Sequence, residues 1–271
     1  MAENGLTSKK ITLPNGKLVH EKRSKLPIIL LLVIAATALS VYMTNFSLDV
    51  LVKRIDKFFN MLGDMIPPNW SYFPKLWDAL LSTLQMSLVG SIIGALLALP
   101  FALLAASNVI RNRAVVALFK ILLSLLRTLP TLVTALIATY VFGLGPMAGM
   151  AAILLFTLSY VGKLLYEQIE NVDMGPFEAM ESIGMTRVQA FRYAIFPQVL
   201  PSYLSTSLFC FEGNVRYAAI LGYVGAGGIG LVITENLGWR EYPNVGMIIL
   251  SLIVVVYVIE TVSEFFRKKL T

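Results

Sequence analysis

Charge is what this sequence has least of. Only 14% of its 271 residues are Asp, Glu, Lys or Arg, while 57% are hydrophobic; soluble domains carry about 25% charged residues. With a mean hydropathy of +0.75, the chain reads as an integral membrane protein. Its one cysteine, Cys210, lies in an apolar run, which excludes a disulfide framework and a thiolate metal site. Its one histidine, His20, stands in a polar tail, so a His-based metal or catalytic centre is not expected. No G-x-x-x-x-G-K-[ST] occurs, so the chain cannot cradle ATP phosphates in the P-loop manner. No A-x-A-like site closes the first apolar run, and the residues before it are too many and too charged for a signal n-region. That run is read as a retained span.

What charge there is lies in informative places. The net +6 comes largely from Lys9, Lys10, Lys17, Lys22, Arg23 and Lys25 in the tail and from Arg267, Lys268 and Lys269 at the other end. Basic residues massed beside apolar spans are cytoplasmic flanks. No aromatic-interleaved basic patch accompanies them, so nucleic acid is not an expected partner.

A crossing helix needs about 20 mostly apolar residues. By that rule six spans are expected: Pro27 to about Phe46; from beyond Trp77 to near Ala106; Ala114 to about Phe142; Met147 to Tyr166; Pro201 to the glycine-rich stretch; and about Pro243 to Phe265. The expected fold class is all-α, a polytopic membrane bundle. Alternation puts the basic tail, Arg111, Arg113 and the C-terminal basic run on one side, giving an N-in, C-in topology. Leu48, Leu51, Ile55, Phe58, Leu62 and Met65 recur at helical spacing opposite Lys53, Asp56 and Lys57, predicting an outer amphipathic helix in the interface. The organisation is then a basic tail (1–26), a first span with the amphipathic segment (27–75), and a core (76–271). In the second span Ser87, Gly90, Gly94 and Ala98 form a small-residue stripe of the kind that lets membrane helices pack closely.

The longest polar segment on the cytoplasmic side runs over about 167–198. Pro176 suits the first turn of a helix, and Glu178 and Glu181 lie favourably at its positive end. Phe177, Met180 and Ile183 give it an apolar edge. Such a helix fits a groove on a partner; a connecting helix lying on the membrane is the other reading the residues allow.

Three ionisable residues fall inside spans: Arg127, Glu212 and Arg216. Charge in hydrocarbon costs ~2.5–3.5 kcal/mol on the lenient scale, so each is expected to face the bundle interior or water. Glu212 and Arg216 are four apart and can pair on one face; Arg127 is expected to complete the cluster. These residues either line a path for tetrahedral oxyanions, which guanidinium groups match, or pin helices together. Pro130, three residues beyond Arg127, predicts a kink beside the charge and a moving gate.

Glu178-Ala179-Met180, three residues, Gly184, and then Ile195-Phe196-Pro197 resembles the EAA motif of ABC importer permeases, E-A-A, three residues, G, nine residues, I-x-L-P. It departs at Met180, at Ile195 (one place late) and at Phe196. The blocks FEGNVRYAAILGYVGAGGIG (211–230), PQVLP before it and SLLRTLPTLV (124–133) are similar to the phosphonate permeases of that superfamily. The resemblance covers the second span to the C-terminus. It implies that Glu178, Ala179, Met180, Gly184 and Pro197 belong to a coupling helix docked on an ATPase subunit. It also implies a type I importer permease that is not itself an enzyme and works beside a second permease, identical or related. Two ABC ATPase subunits would hold the ATP and Mg, and an extracytoplasmic binding protein would deliver phosphonates or related phosphorus oxyanions. Its place would be the inner or plasma membrane of a bacterium, among lipid. Phosphite, phosphate esters or another small anion are alternatives. An ion-coupled secondary transporter would want inverted repeats, and the long cytoplasmic loop occurs once.

Gly225-Ala226-Gly227-Gly228-Ile229-Gly230 matches G-x-G-x-x-G, yet a dinucleotide turn needs a strand before it and an acid about twenty residues on. Neither is present, and the match is read as coincidence. Gly225, Gly227, Gly228 and Gly230 are expected to form a hinge at the outer end of the fifth span; a tightly packed helix terminus is the alternative.

Overall fold

The computed structural model describes residues 10–12, 18–20, 25–45 and 47–270. Apart from a short antiparallel ladder in the tail, β1 (Lys10–Thr12) with β2 (Leu18–His20), the regular elements among them are helical. Among the described residues, five helices are long and apolar enough to cross a membrane, or six if one broken pair counts as a span.

Chain contacts divide the protein into residues 1–60 and 61–271, earlier than the boundary expected at 75/76. In the first unit, α1 (Leu26–Met43) opens with Pro27 in its first turn and buries none of its residues. A helix apolar all round suits a membrane span. The amphipathic helix α2 (Leu48–Asp64) forms as expected, with Asp49 and Lys53 paired at 2.7 Å on its polar face.

The second unit holds the core. A 3-10 turn (Trp70–Tyr72), capped by Asn69, leads into α3 (Phe73–Ala105), which starts before Trp77 and takes Pro74 into its first turn. At 33 residues it is about 50 Å long, more than the ~30 Å hydrocarbon core requires. The small-residue stripe meets α6 (Pro146–Glu170): a Cβ on Gly94 would lie 2.7 Å from the Leu154 carbonyl oxygen. The two backbones touch because no side chain separates them.

The third span departs from expectation. It is two helices, α4 (Arg113–Thr128) and α5 (Thr131–Phe142), meeting at 91°. Proline disfavours the helical conformation in the residue before it, and here Leu129 (ψ 120°) and Pro130 (ψ 131°) are both extended. Pro130 therefore breaks the span rather than kinking it.

The fifth span also differs. After α7 (Gly175–Ser182), a nearly continuous helix runs through α8 (Arg187–Ala190), a π turn (Phe191–Ile195) and α9 (Phe196–Leu221). Within the polar segment over 167–198 the helix expected at Pro176 forms as α7, helix also continues beyond it, and Pro201, expected to open the span, lies inside α9. Pro197 has no N–H and excludes the carbonyl four residues back. The widened turn before it accommodates this, with the Phe196 N–H bonded to the Phe191 carbonyl. A 3-10 turn (Gly222–Val224) and the glycine stretch lead to α10 (Ile229–Gly238) and then α11 (Tyr242–Leu270).

Candidate functional site

The inner end is built around α7. Its Phe177 is 1% exposed and anchors the helix in the core formed with Val109, Ile169, Ala190 and Ile195, and Met180 packs partly against the same cluster. The opposite face is bare: Glu178, Ala179 and Gly184 are exposed, as is Ile183 at 73%. The helix closes with a Schellman motif, the Met185 N–H bonded to the Met180 carbonyl at 3.1 Å and the Gly184 N–H to that of Glu181 at 3.0 Å. That motif needs positive φ at its turning residue, and Gly184 has φ +92°. A Cβ there would meet no atom within 4 Å, so the space beside Gly184 is open. Pro197 is exposed in the first turn of α9, and its neighbour Gln198 donates to the Asp173 carbonyl at 3.3 Å.

Arg187 fastens this element to the bundle. Its Nε lies 3.0 Å from the Glu181 carboxylate, its Nη1 donates to the Val109 carbonyl in the turn between α3 and α4, and its guanidinium covers the Phe177 ring at 6.0 Å. A second clamp lies alongside. Glu170 receives Lys120 from α4 at 2.8 Å and both the N–H and hydroxyl of Ser107. Sequence reading missed Arg187, Lys120 and Glu170. The Lys120–Glu170 and Arg187–Val109 contacts join residues 50 or more apart, so no local pattern marks them.

The charges within the spans resolve into two places. Glu212, whose side chain is 5% exposed, pairs with Arg216 on its own helix and faces Arg267 of α11 at 3.5 Å. Arg216 also reaches Glu260 at 3.5 Å. Two acids and two guanidinium groups make a neutral lattice joining α9 to α11. Arg267 is three residues from the end of α11, which puts Glu212 nearer the membrane boundary than the mid-span depth expected. Arg127 does not complete this cluster. It stands exposed in the last turn of α4, its guanidinium 5.6 Å from the Tyr160 ring centre. Tyr160 stacks on Phe156, and Phe156 meets Tyr217, the sequence neighbour of Arg216. Arg127 makes no ion pair with a carboxylate among the described residues, so it carries the uncompensated charge.

Removing Glu212 takes the buried carboxylate away from both Arg216 and Arg267. Glu212→Ala is expected to lower the stability of the detergent-solubilised chain by about 3 kcal/mol, the low end for breaking a buried pair, because Arg216 is half exposed and screened. A thermal-unfolding series including Arg216→Leu checks it. Additive losses would mean that the pair is not coupled.

At the outer end, the glycine stretch joins two helices. Gly225, Gly227 and Gly228 have positive φ, while Gly230 lies in the first turn of α10 with no room for a Cβ against Ala219 and Gly222. The Gly145 N–H bonds to the Gly225 carbonyl at 2.9 Å, and the Ile229 N–H to the Thr83 hydroxyl at 2.7 Å. These contacts are those of a packed turn. Positive φ and close backbone approach are what the glycines supply to this geometry.

The bundle has the fold of a membrane-transport subunit. A chain of the MetNI methionine ABC transporter superposes with a TM-score of 0.66, covering 75% of this chain and 99% of that one at 20% identity. Residues 98–271 match the family described as binding-protein-dependent transport system inner membrane component, and the chain belongs to that family. The phosphite transport system permease protein PtxC of Stutzerimonas stutzeri is 33% identical over 77% of this chain and 76% of its own length. The phosphate-import permease protein PhnE of Mycolicibacterium smegmatis is 33% identical over 76% of this chain, and the match spans 39% of that protein. The EAA-like residues and the phosphonate-permease blocks thus stand in a multi-pass transport permease.

Proposed function

We propose that this chain is the membrane path of an ATP-driven importer of phosphorus oxyanions, phosphonate, phosphite or phosphate among them. The observation that carries the substrate class is Arg127, an exposed guanidinium inside a span that pairs with no carboxylate among the described residues, beside the break between α4 and α5. The Thr131 and Leu132 amides of α5 precede its first backbone bond, from the Val133 N–H to the Pro130 carbonyl, and such leading amides add positive potential at the same break. Relatives named for phosphite and phosphate transport agree with this chemistry.

In this reading two permease subunits enclose the path, and an extracytoplasmic binding protein delivers the anion. Two ATPase subunits, holding ATP and Mg2+, dock on the bare face of α7 from the cytoplasm of a bacterial cell. Closure of the ATPases pushes α7. Arg187 hands the displacement to the α3–α4 turn, and Lys120 with Glu170 keeps α4 and α6 in step. Extended backbone at Leu129 and Pro130 lets α4 tilt while α5 stays packed. Each state is favoured by a different ligand, ATP for one and its absence for the other.

Uptake by proteoliposomes of the assembled importer tests the proposal. ATP-dependent accumulation of labelled phosphite or methylphosphonate is expected, with excess phosphate competing. Transport of a cationic solute with equal efficiency, and no phosphorus oxyanion, would overturn it.

A further inference from the structure

Between α3, α9 and α11 runs a groove of about 630 Å3, within the ~300–1,000 Å3 range of small-ligand sites. Leu88, Ile92 and Leu96 form one wall, Leu204, Leu208 and Phe211 the floor, and Phe266 and Leu270 the far side. Its polar side chains are already engaged within the protein. The Tyr203 hydroxyl donates to the Ala95 carbonyl at 2.9 Å, Ser207 to the Tyr203 carbonyl at 2.8 Å, and Ser91 receives Asn214 at 2.8 Å. The slot therefore offers a ligand only hydrocarbon contact along its length.

One end differs. Lys269 lines the mouth. Of the three basic residues closing α11, Arg267 faces Glu212 and Lys268 binds Glu264 at 2.8 Å. Lys269 has no carboxylate partner among the described residues and rests on the Phe265 ring at 4.4 Å. At about 100° per residue, Arg216 lies roughly 140° around α9 from Phe211, so its guanidinium is not turned to the groove. A dry slot with an ammonium at its rim that meets no described carboxylate fits an amphiphile with an apolar tail and an anionic head.

The structure assigns this groove to an anionic phospholipid of the leaflet that holds the C-terminus, one acyl chain lying along α9 and its phosphate on Lys269. Basic residues at the membrane boundary attract such headgroups. The site is independent of the transported solute.

Native mass spectrometry of the full chain with phosphatidylglycerol or phosphatidylcholine added separately tests it. One tightly held phosphatidylglycerol per chain is expected, preferred roughly fivefold over phosphatidylcholine, the scale of one lysine at a membrane surface. Lys269→Glu is expected to abolish or invert that preference, and Leu204→Trp, which fills the slot, to weaken both lipids. Equal retention of the two lipids by the unaltered chain, or an unchanged preference in Lys269→Glu, would overturn the assignment. So would efficient disulfide dimerisation of Leu208→Cys in the membrane, because a second copy would then cover the groove.

Discussion

Gly184→Leu is expected to leave the chain folded and inserted but unable to retain its ATPase partner on co-purification. The fold survives because α7 is held elsewhere, by buried Phe177 and by the Arg187 contacts to Glu181 and Val109. Two separate costs arise at position 184. A non-glycine residue in the left-handed region pays about 1–2 kcal/mol, and the leucine side chain enters a space where this chain places no atom within 4 Å. That space is where the proposed ATPase groove meets the helix. A clash there is expected to weaken association on the order of thirtyfold, as at an interface hot spot of ~2 kcal/mol. Gly184→Ala separates the causes, since it keeps the backbone cost with little bulk. It is expected to retain most of the association. Full retention by Gly184→Leu would remove the docking face from this part of α7.

Arg127→Ala is expected to cut uptake by about one to two orders of magnitude while assembly and basal ATPase activity persist. The side chain is exposed and makes no ion pair with a described carboxylate, so its loss strands no buried partner. What is lost is a charge-assisted contact to a passing oxyanion, worth about 1.5–3 kcal/mol, or roughly ten- to a hundredfold in transport. The cation–π contact with Tyr160 supplies the rival explanation, in which Arg127 merely braces α4 against α6. Arg127→Lys distinguishes the two, since lysine keeps a charge but not the planar fork. On the pathway reading it restores transport partially and changes selectivity among phosphite, phosphate and methylphosphonate. Recovery of transport in Arg127→Met, which fills similar space without charge, would establish a bracing role instead.

Apolar length and small-residue spacing made the spans and the α3–α6 contact legible, because lipid imposes both directly. Two other features were concealed by tertiary context. The run from Ala114 to Phe142 has the composition of one span, and only the conformational restriction at Leu129-Pro130, expressed as two extended residues, turns it into a right-angled pair. Composition likewise suggested a loop before Pro201, where a π turn instead lets helix continue through Pro197. Among the charges, the Glu212–Arg216 spacing announced its own pair. The arrival of Arg267 did not show, since a basic C-terminal run reads equally well as a simple flank. The open side of Gly184 was invisible for a related reason: sequence signals a turn, but not whether space beside the turn is filled.

The lattice around Glu212 also has a consequence for how the chain is made. Spans emerge from the ribosome in order, so α9 enters the bilayer before α11 exists. Glu212 would then be a bare carboxylate in hydrocarbon were Arg216 not one turn further along the same helix. The local pair lets α9 partition as a neutral unit, and Arg267 and Glu260 are added when the last span arrives. Membrane integration of a nascent chain truncated after α10 therefore depends on Arg216, although the finished bundle supplies Glu212 with a second guanidinium.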